Sequence, residues 1–261
     1  PSRGRISKGP DIGESWMGGT IDGCVSRTVR DTAAVLDAIS GYENGDPHIA
    51  PFASPLAGEV GKNPGKLRVG FLNHPLLEIG IDHPECRTAV DNAVALLEGL
   101  GHEVEAAFPD AMKEPEFPDL FVGIITASLN ADLDALEFLL GIKFDETNLE
   151  PDNLFFREIG KASTSSAYLT TVRLMHMWSR RMISWWRTPA MDSGQFDILV
   201  TPTLSAPAPK LGWLTGPEGG VHVQQILQYT AQFNITGQPA ISLPLHMSAD
   251  GIPVGVQFVA A

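Results

Sequence analysis

The residue types that could do chemistry are present, but their spacing forms none of the common catalytic devices. Seven histidines, His48, His74, His83, His102, His176, His222 and His246, are scattered along the chain. None belongs to a cluster with other ligand types at helical spacing, so no metal site is expected. No HExxH zinc motif, GxxxxGKS/T phosphate loop or GxGxxG dinucleotide loop occurs. Gly13-Glu14-Ser15-Trp16-Met17 approaches the GxSxG elbow that exposes a nucleophilic serine. Its closing glycine is replaced and no strand precedes it, so Ser15 reads as a loop serine. No serine lies three residues before any of the seven lysines, which removes the helical SxxK device. Ser7 beside Lys8 and Ser163 two residues after Lys161 have no oxyanion loop next to them. Asn234-Ile235-Thr236 fits the glycosylation sequon, yet it falls between an apolar helix and a buried strand, where burial is the expected fate.

The elements that would position such groups read as α/β. Leu67–Leu72 is a short, mostly apolar, β-prone run. Pro84–Leu100 follows as a helix with Ala89, Ala93, Leu96, Leu97 and Leu100 on one face, stopped by Gly101. His102–Ala106 resumes as a strand, and a strand–helix–strand unit of this length closes as a right-handed parallel crossover. Asp119–Leu140 and Ser163–Met191 read as helices, the second ended by Pro189. Its stripe of Tyr168, Val172, Met175, Trp178, Met182 and Trp185 reads as core packing. Further strands are expected at Phe196–Thr201, Ala240–Pro244 and Val254–Val259, with a helix at Val223–Phe233. The last two strands should pair antiparallel through Asp250-Gly251 as a type I′ turn. Near the start, Ser26–Ser40 reads as a helix capped by Thr28 or Ser26 and ended by Gly41, with Val29, Ala33, Leu36 and Ile39 at helical spacing. Residues 1–23 and 42–64 are rich in Gly and Pro and read as irregular. The expected fold class is α/β, a mixed β-sheet flanked by helices.

Composition removes several function classes. The 261 residues include 43% hydrophobic and 19% charged side chains, enough for a sizeable core. The net charge of −13 disfavours nucleic acid and anionic membrane surfaces as partners. No apolar run approaches the roughly 20 residues a membrane-spanning helix needs. The two cysteines, Cys24 and Cys86, form no CxxC pair, which argues against a disulfide framework and for a reducing, cytoplasmic setting. The chain starts at Pro1 without a signal-like segment and reads as internal to something longer.

Two stretches carry a family resemblance. Pro1–Ser7 (PSRGRIS) followed by Gly19–Gly41 (GTIDGCVSRTVRDTAAVLDAISG) resembles the region just after the nucleophile in the amidase signature family, KP(S/T)xGRxS then SxDxxGPxxRxVxDxAxxL. Phe233–Leu245 (FNITGQPAISLPL) and Gly251–Val259 (GIPVGVQFV) are similar to its FNxTGxPAxSxP and GxPxGxQ motifs. Gly45–Gly194 is the least similar part, although the GDPHIAPF segment and the long aromatic helix resemble hydrolases of linear and cyclic amides of the nylon-oligomer type. Cys24 stands where the family prefers Pro, and Ala260 where it usually has Gly.

The resemblance implies an amide hydrolase acting on linear, cyclic or aryl amides through a Ser-Ser-Lys triad, without metal or cofactor. It places the triad and the oxyanion loop upstream of Pro1, so no catalytic residue is expected in this chain. The chain is then the C-terminal portion of a single amidase-signature domain, inactive on its own. Residues 1–41 would be the signature tail, 42–194 a variable, substrate-facing helical part, and 195–261 the core strands. By family position, Thr126, Ser128 and Asn130 on the Asp119–Leu140 helix, with Phe233 and Asn234, are the candidate substrate contacts. Asp22, Arg27 and Asp31 match charged signature positions and are candidates for supporting the nucleophile loop. A small-molecule amide is the expected partner, with a homodimer as a further expectation. A non-catalytic, amidase-like interaction domain is the alternative.

Overall fold

The computed structural model describes residues 1–51, 54–186, 195–215 and 218–261. One five-stranded sheet holds the molecule together, in the order β2-β1-β3-β5-β4. The strands are β1 (Arg68–Phe71), β2 (Glu103–Glu105), β3 (Ile198–Pro202), β4 (Ala240–Met247) and β5 (Pro253–Ala260). All five expected strands form, within a few residues of the expected bounds. β1 pairs parallel with both β2 and β3, while β5 runs antiparallel to β3 and β4. The sheet is therefore mixed. β1 passes so close to its neighbours that a Cβ on Gly70 would meet Ala107 O at 2.4 Å and the Trp185 ring at 2.6 Å. At the edge, β2 carries Glu103 and Glu105, and Lys66 binds Glu103 at 2.7 Å. A short, charged edge strand resists pairing with other chains.

Alternation along the strands divides the core in two. Val69, Val200, Val254 and Val256 face Cys86, Ala89, Val90 and Ala93 of α2 (Pro84–Gly99). On the opposite face, Leu199 and Val259 meet Met175, Trp178 and Met182 of α5 (Ser165–Ile183), together with Trp186 and Phe233. The buried indoles satisfy their N–H groups on main-chain carbonyls: Trp178 donates to Ala111 O at 2.8 Å and Trp186 to Val259 O at 3.3 Å.

Several elements differ from the expectations. The β4–β5 connection is not a type I′ turn. Gly251 alone has positive φ, 76°, and a five-residue loop is closed by Gly251 N–H on Ser248 O and Ser248 N–H on Ile252 O, both 2.9 Å. The helix α1 (Val29–Ile39) is capped by Thr28, whose Oγ1 accepts from Asp31 N at 3.0 Å, while Ser26 pairs with Thr32 instead. Ser40, not Gly41, leaves the helix. Only Ala33 of the α1 stripe is buried; Val29 and Ile39 stay exposed. The helix α3 (Phe117–Leu140) begins two residues before the expected Asp119. A helix the periodicity did not reveal, α4 (Pro151–Ala162), packs on it, and α5 starts at Ser165. α5 ends at Ile183 with Ser184 as its cap, well before the expected Met191, so Trp185 lies beyond the helix, while Pro189 and Met191 themselves fall outside the described residues. The expected Val223–Phe233 helix is two helices, α6 (Gly219–Ile226) and α7 (Ala231–Thr236). Between them the chain turns toward the sheet, where the Gln257 amide donates to Tyr229 O at 2.9 Å. No helix among the described residues is long and apolar enough to cross a membrane.

Candidate functional site

One side chain, Arg3, ties the N-terminal loop to the end of α7. Arg3 donates from Nε to Gly18 O at 2.8 Å and from Nη2 to Ile235 O at 2.6 Å and Asn234 O at 3.2 Å. Its own N–H reaches Gly237 O at 3.0 Å. A cation over the last carbonyls of α7 also complements the negative end of that helix. From the other side, Asn234 Nδ2 donates to Gly19 O at 2.8 Å. Between these anchors, Trp16, Met17 and Gly18 are all left-handed, with φ of 54°, 58° and 72°. Two consecutive bulky residues in this region are costly and persist only where the surroundings impose them. Here the surroundings are the Arg3 clamp, the burial of Met17 in the core, and the edge of the Trp16 ring on Phe121 of α3, centroids 6.3 Å apart.

Beside the clamp lies a small cleft of about 30 Å³ lined in part by Arg3, Glu14, Asp46 and His48. Its carboxylates are engaged: Glu14 Oε2 lies 2.8 Å from His48 Nε2, and Ser7 donates to Asp46 at 2.8 Å. Burial pulls the Arg3 guanidinium below its ordinary value, with Glu14 opposing. The Glu14 charge also reaches Tyr168 on α5. Burial and then Glu14 push that phenol up, against a smaller opposing effect of the Ser128 hydroxyl on α3.

The other candidate residues are distributed differently. Thr126 is buried, and its hydroxyl donates to Val122 O at 2.8 Å within its own helix. A Cβ on Gly160 would come within 2.2 Å of Thr126 O, so this turn of α3 is where α4 packs. Asn130 lies at the same helix junction and donates to Asp134 at 3.3 Å. Phe233 is core, edge-on to Trp186. Asn234 belongs to the clamp. Asp22 is exposed and paired with Lys8 at 3.3 Å. Arg27 is exposed with no ion pair or hydrogen bond among the described residues. Asp31 sits in the first turn of α1, where its charge suits the helix dipole. Counting back from Gly23-Cys24 in the family spacing, the acidic position falls on Thr20 rather than Asp22. Arg3, the residue that ties the loop down, occupies the variable position of PSRGR, and only its unpaired charge next to a Gly-rich stretch could have drawn attention to it. Among the described residues no three His, Cys, Asp or Glu side chains are grouped to hold a metal ion.

The mixed sheet, its two helical layers and the pinned loop are those of the amidase-signature fold. The family model described as Amidase matches residues 1–261, and the chain belongs to that family. The 6-aminohexanoate-cyclic-dimer hydrolase of Pseudomonas sp. strain NK87 is 36% identical over 275 residues, covering 100% of this chain and 54% of the relative. A solved structure of 6-aminohexanoate cyclic dimer hydrolase superposes with a TM-score of 0.90 at 36% identity, covering 100% of this chain and 56% of that one. A bacterial aryl acylamidase of the amidase signature family, at 18% identity and TM-score 0.73, shares the fold, covering 100% of this chain and 54% of that one. The chain spans about half the length of the curated relatives it matches.

Proposed function

We propose that this chain is the substrate-facing portion of an amide hydrolase acting on linear, cyclic or aryl amides. The nucleophile, its bridging serine and its lysine belong to sequence upstream of Pro1. The observation that carries this reading is the meeting of the two motif stretches. Arg3 and Gly18–Gly19 from one, and Asn234–Gly237 from the other, close a single clamp across 215 or more positions of sequence. In this reading the clamp fixes the exit of the nucleophile loop, which attack on an amide requires to be rigid. α3 and α5 wall the acyl pocket, with Ser128 its polar contact and Trp16 and Phe121 its apolar side.

The test is to assay the gene product that includes the residues upstream of Pro1, and the 261-residue chain alone, on anilides, linear amides and 6-aminohexanoate cyclic dimer. Turnover by the longer form, and a loss of at least about 10³-fold in the shorter one, is the expected result. Comparable turnover by the short chain would move the chemistry to Ser7, Ser15 or Ser163. No turnover by either would favour the non-catalytic, interaction-domain alternative.

A further inference from the structure

The outer face of α5 mixes apolar and cationic side chains. Leu169, Leu174 and Met177 are exposed there, and so are Arg173 and Arg180. Positions 169, 173, 177 and 180 follow the helical period, so they form one outward stripe. Met175, Trp178 and Met182 turn the other way, into the core. Beside the stripe, between α5 and the start of α3, runs a groove of about 650 Å³. Leu120, Leu174, Met177 and Trp178 supply its apolar lining, while Glu116 and Asp119 line it from the start of α3 and are exposed. Among the described residues, none of Glu116, Asp119, Arg173 and Arg180 has an ion pair or a side-chain hydrogen bond. Glu114, also in the groove, is held by Arg181 at 2.7 Å.

Groove and stripe carry opposite charges at a spacing that lets the face complement itself. Glu114, Phe117 and Gly123 adjoin Arg181, Trp178 and Thr171 in turn, so α3 and α5 run antiparallel. Asp119 is therefore level with residues 174–176 of α5. When α5 packs antiparallel on α5 of a second copy about Met177, Arg180 of one copy faces position 174 of the other. That brings Arg180 level with Asp119 of the other copy, and two-fold symmetry makes the pair twice. Arg173 comes level with Glu114, within a turn of Glu116. Leu174 and Met177 are covered at the centre. Met and Arg are enriched at protein interfaces, Met because its flexible thioether fills irregular gaps. An anionic lipid surface would be repelled by the carboxylates, and a small apolar ligand would leave both arginines unanswered. Two copies of net charge −13 repel at long range, but screening over about 8 Å at physiological salt leaves the local pairs to decide. We infer that the α3–α5 groove is an isologous dimer surface, occupied by α5 of a second copy of this chain.

The experiment is sedimentation velocity across a concentration series on the gene product that includes the residues upstream of Pro1. A monomer–dimer equilibrium is expected. Met177→Glu and Arg180→Glu should each raise the dimer Kd at least about tenfold, with circular dichroism confirming that both fold. Arg180→Glu combined with Asp119→Arg should return it to within about threefold of wild type, because the pair is restored with its signs exchanged. Oxidation of Met177 by peroxide should slow as the protein is concentrated into the dimer. A monomer at every concentration, a dimer unchanged by Met177→Glu, or a folded double variant no better than Arg180→Glu alone would overturn the inference. So would a monomer in which Met177 resists oxidation, since upstream sequence would then fill the groove.

Discussion

Arg3 does at residue scale what no local motif announces. One guanidinium ties three carbonyls from two distant segments, and hydrogen bonds from a charged donor contribute about 1.5–3 kcal/mol each where the alternative is an unsatisfied acceptor. Arg3→Ala should lower the urea unfolding free energy by about 2–4 kcal/mol. Arg3→Lys should recover only part of this, because an ammonium cannot span the same acceptors. A loss below about 0.5 kcal/mol would mean the loop is held by Met17 and Trp16 alone. Glu137 carries the clearest pH dependence. It accepts from Arg157 Nη1, Lys143 Nζ and Phe144 N, each at 2.8 Å, and these bonds, Arg157 foremost, hold its carboxyl well below the ordinary value. A depressed folded-state pKa adds stability that is complete above the unfolded value, about 4.3, and fades as pH falls toward the folded one. Glu137→Gln should therefore lower Tm most at pH 7, with the gap to wild type closing below about pH 4. A gap independent of pH would refute the assignment.

At the scale of elements, the helix junctions decide more than helix propensity does. Gly160 lets α4 approach the backbone of α3 at Thr126, and no side chain fits there. Gly160→Ala should cost about 1–3 kcal/mol by overpacking, despite the better helix propensity of Ala. A neutral or stabilising result in chemical denaturation would contradict the packing. Thr28→Ala should cost about 1 kcal/mol through loss of the α1 cap, and Thr28→Ser should restore most of it, both read from urea midpoints. α2, α3 and α5 were legible because each buries a stripe of apolar side chains. α4 was not, because Arg157, the residue it buries deepest alongside Gly160, is charged and interrupts the apolar period. The break between α6 and α7 was hidden for a related reason. The apolar spacing continues through it, while the main chain is diverted to meet Gln257 of β5.

For the whole molecule, the largest exposed apolar run among the described residues is Phe138-Leu139-Leu140 at the end of α3, 91%, 76% and 56% exposed. Consecutive exposed apolar residues of this size mark contact surfaces or association. The isolated chain should associate with concentration in sedimentation velocity, and Phe138→Ser with Leu139→Ser should shift it toward monomer. An unchanged distribution would sink this expectation. The strands, their approximate bounds and the mixed sheet were determined by the sequence itself. Short β-prone runs between helical periods leave few ways to bury both faces, and the family motifs sit in contiguous stretches. What the tertiary structure alone decided is which polar side chains meet. Arg27 and Asp31 occupy signature positions yet lie exposed, while Arg3 and Glu14, outside the charged signature positions, line one cleft beside the pinned loop. Hydrophobic periodicity is a local property that a short window reveals. A hydrogen bond from Arg3 to Ile235 spans 232 positions and exists only once the sheet has brought both ends of the chain together.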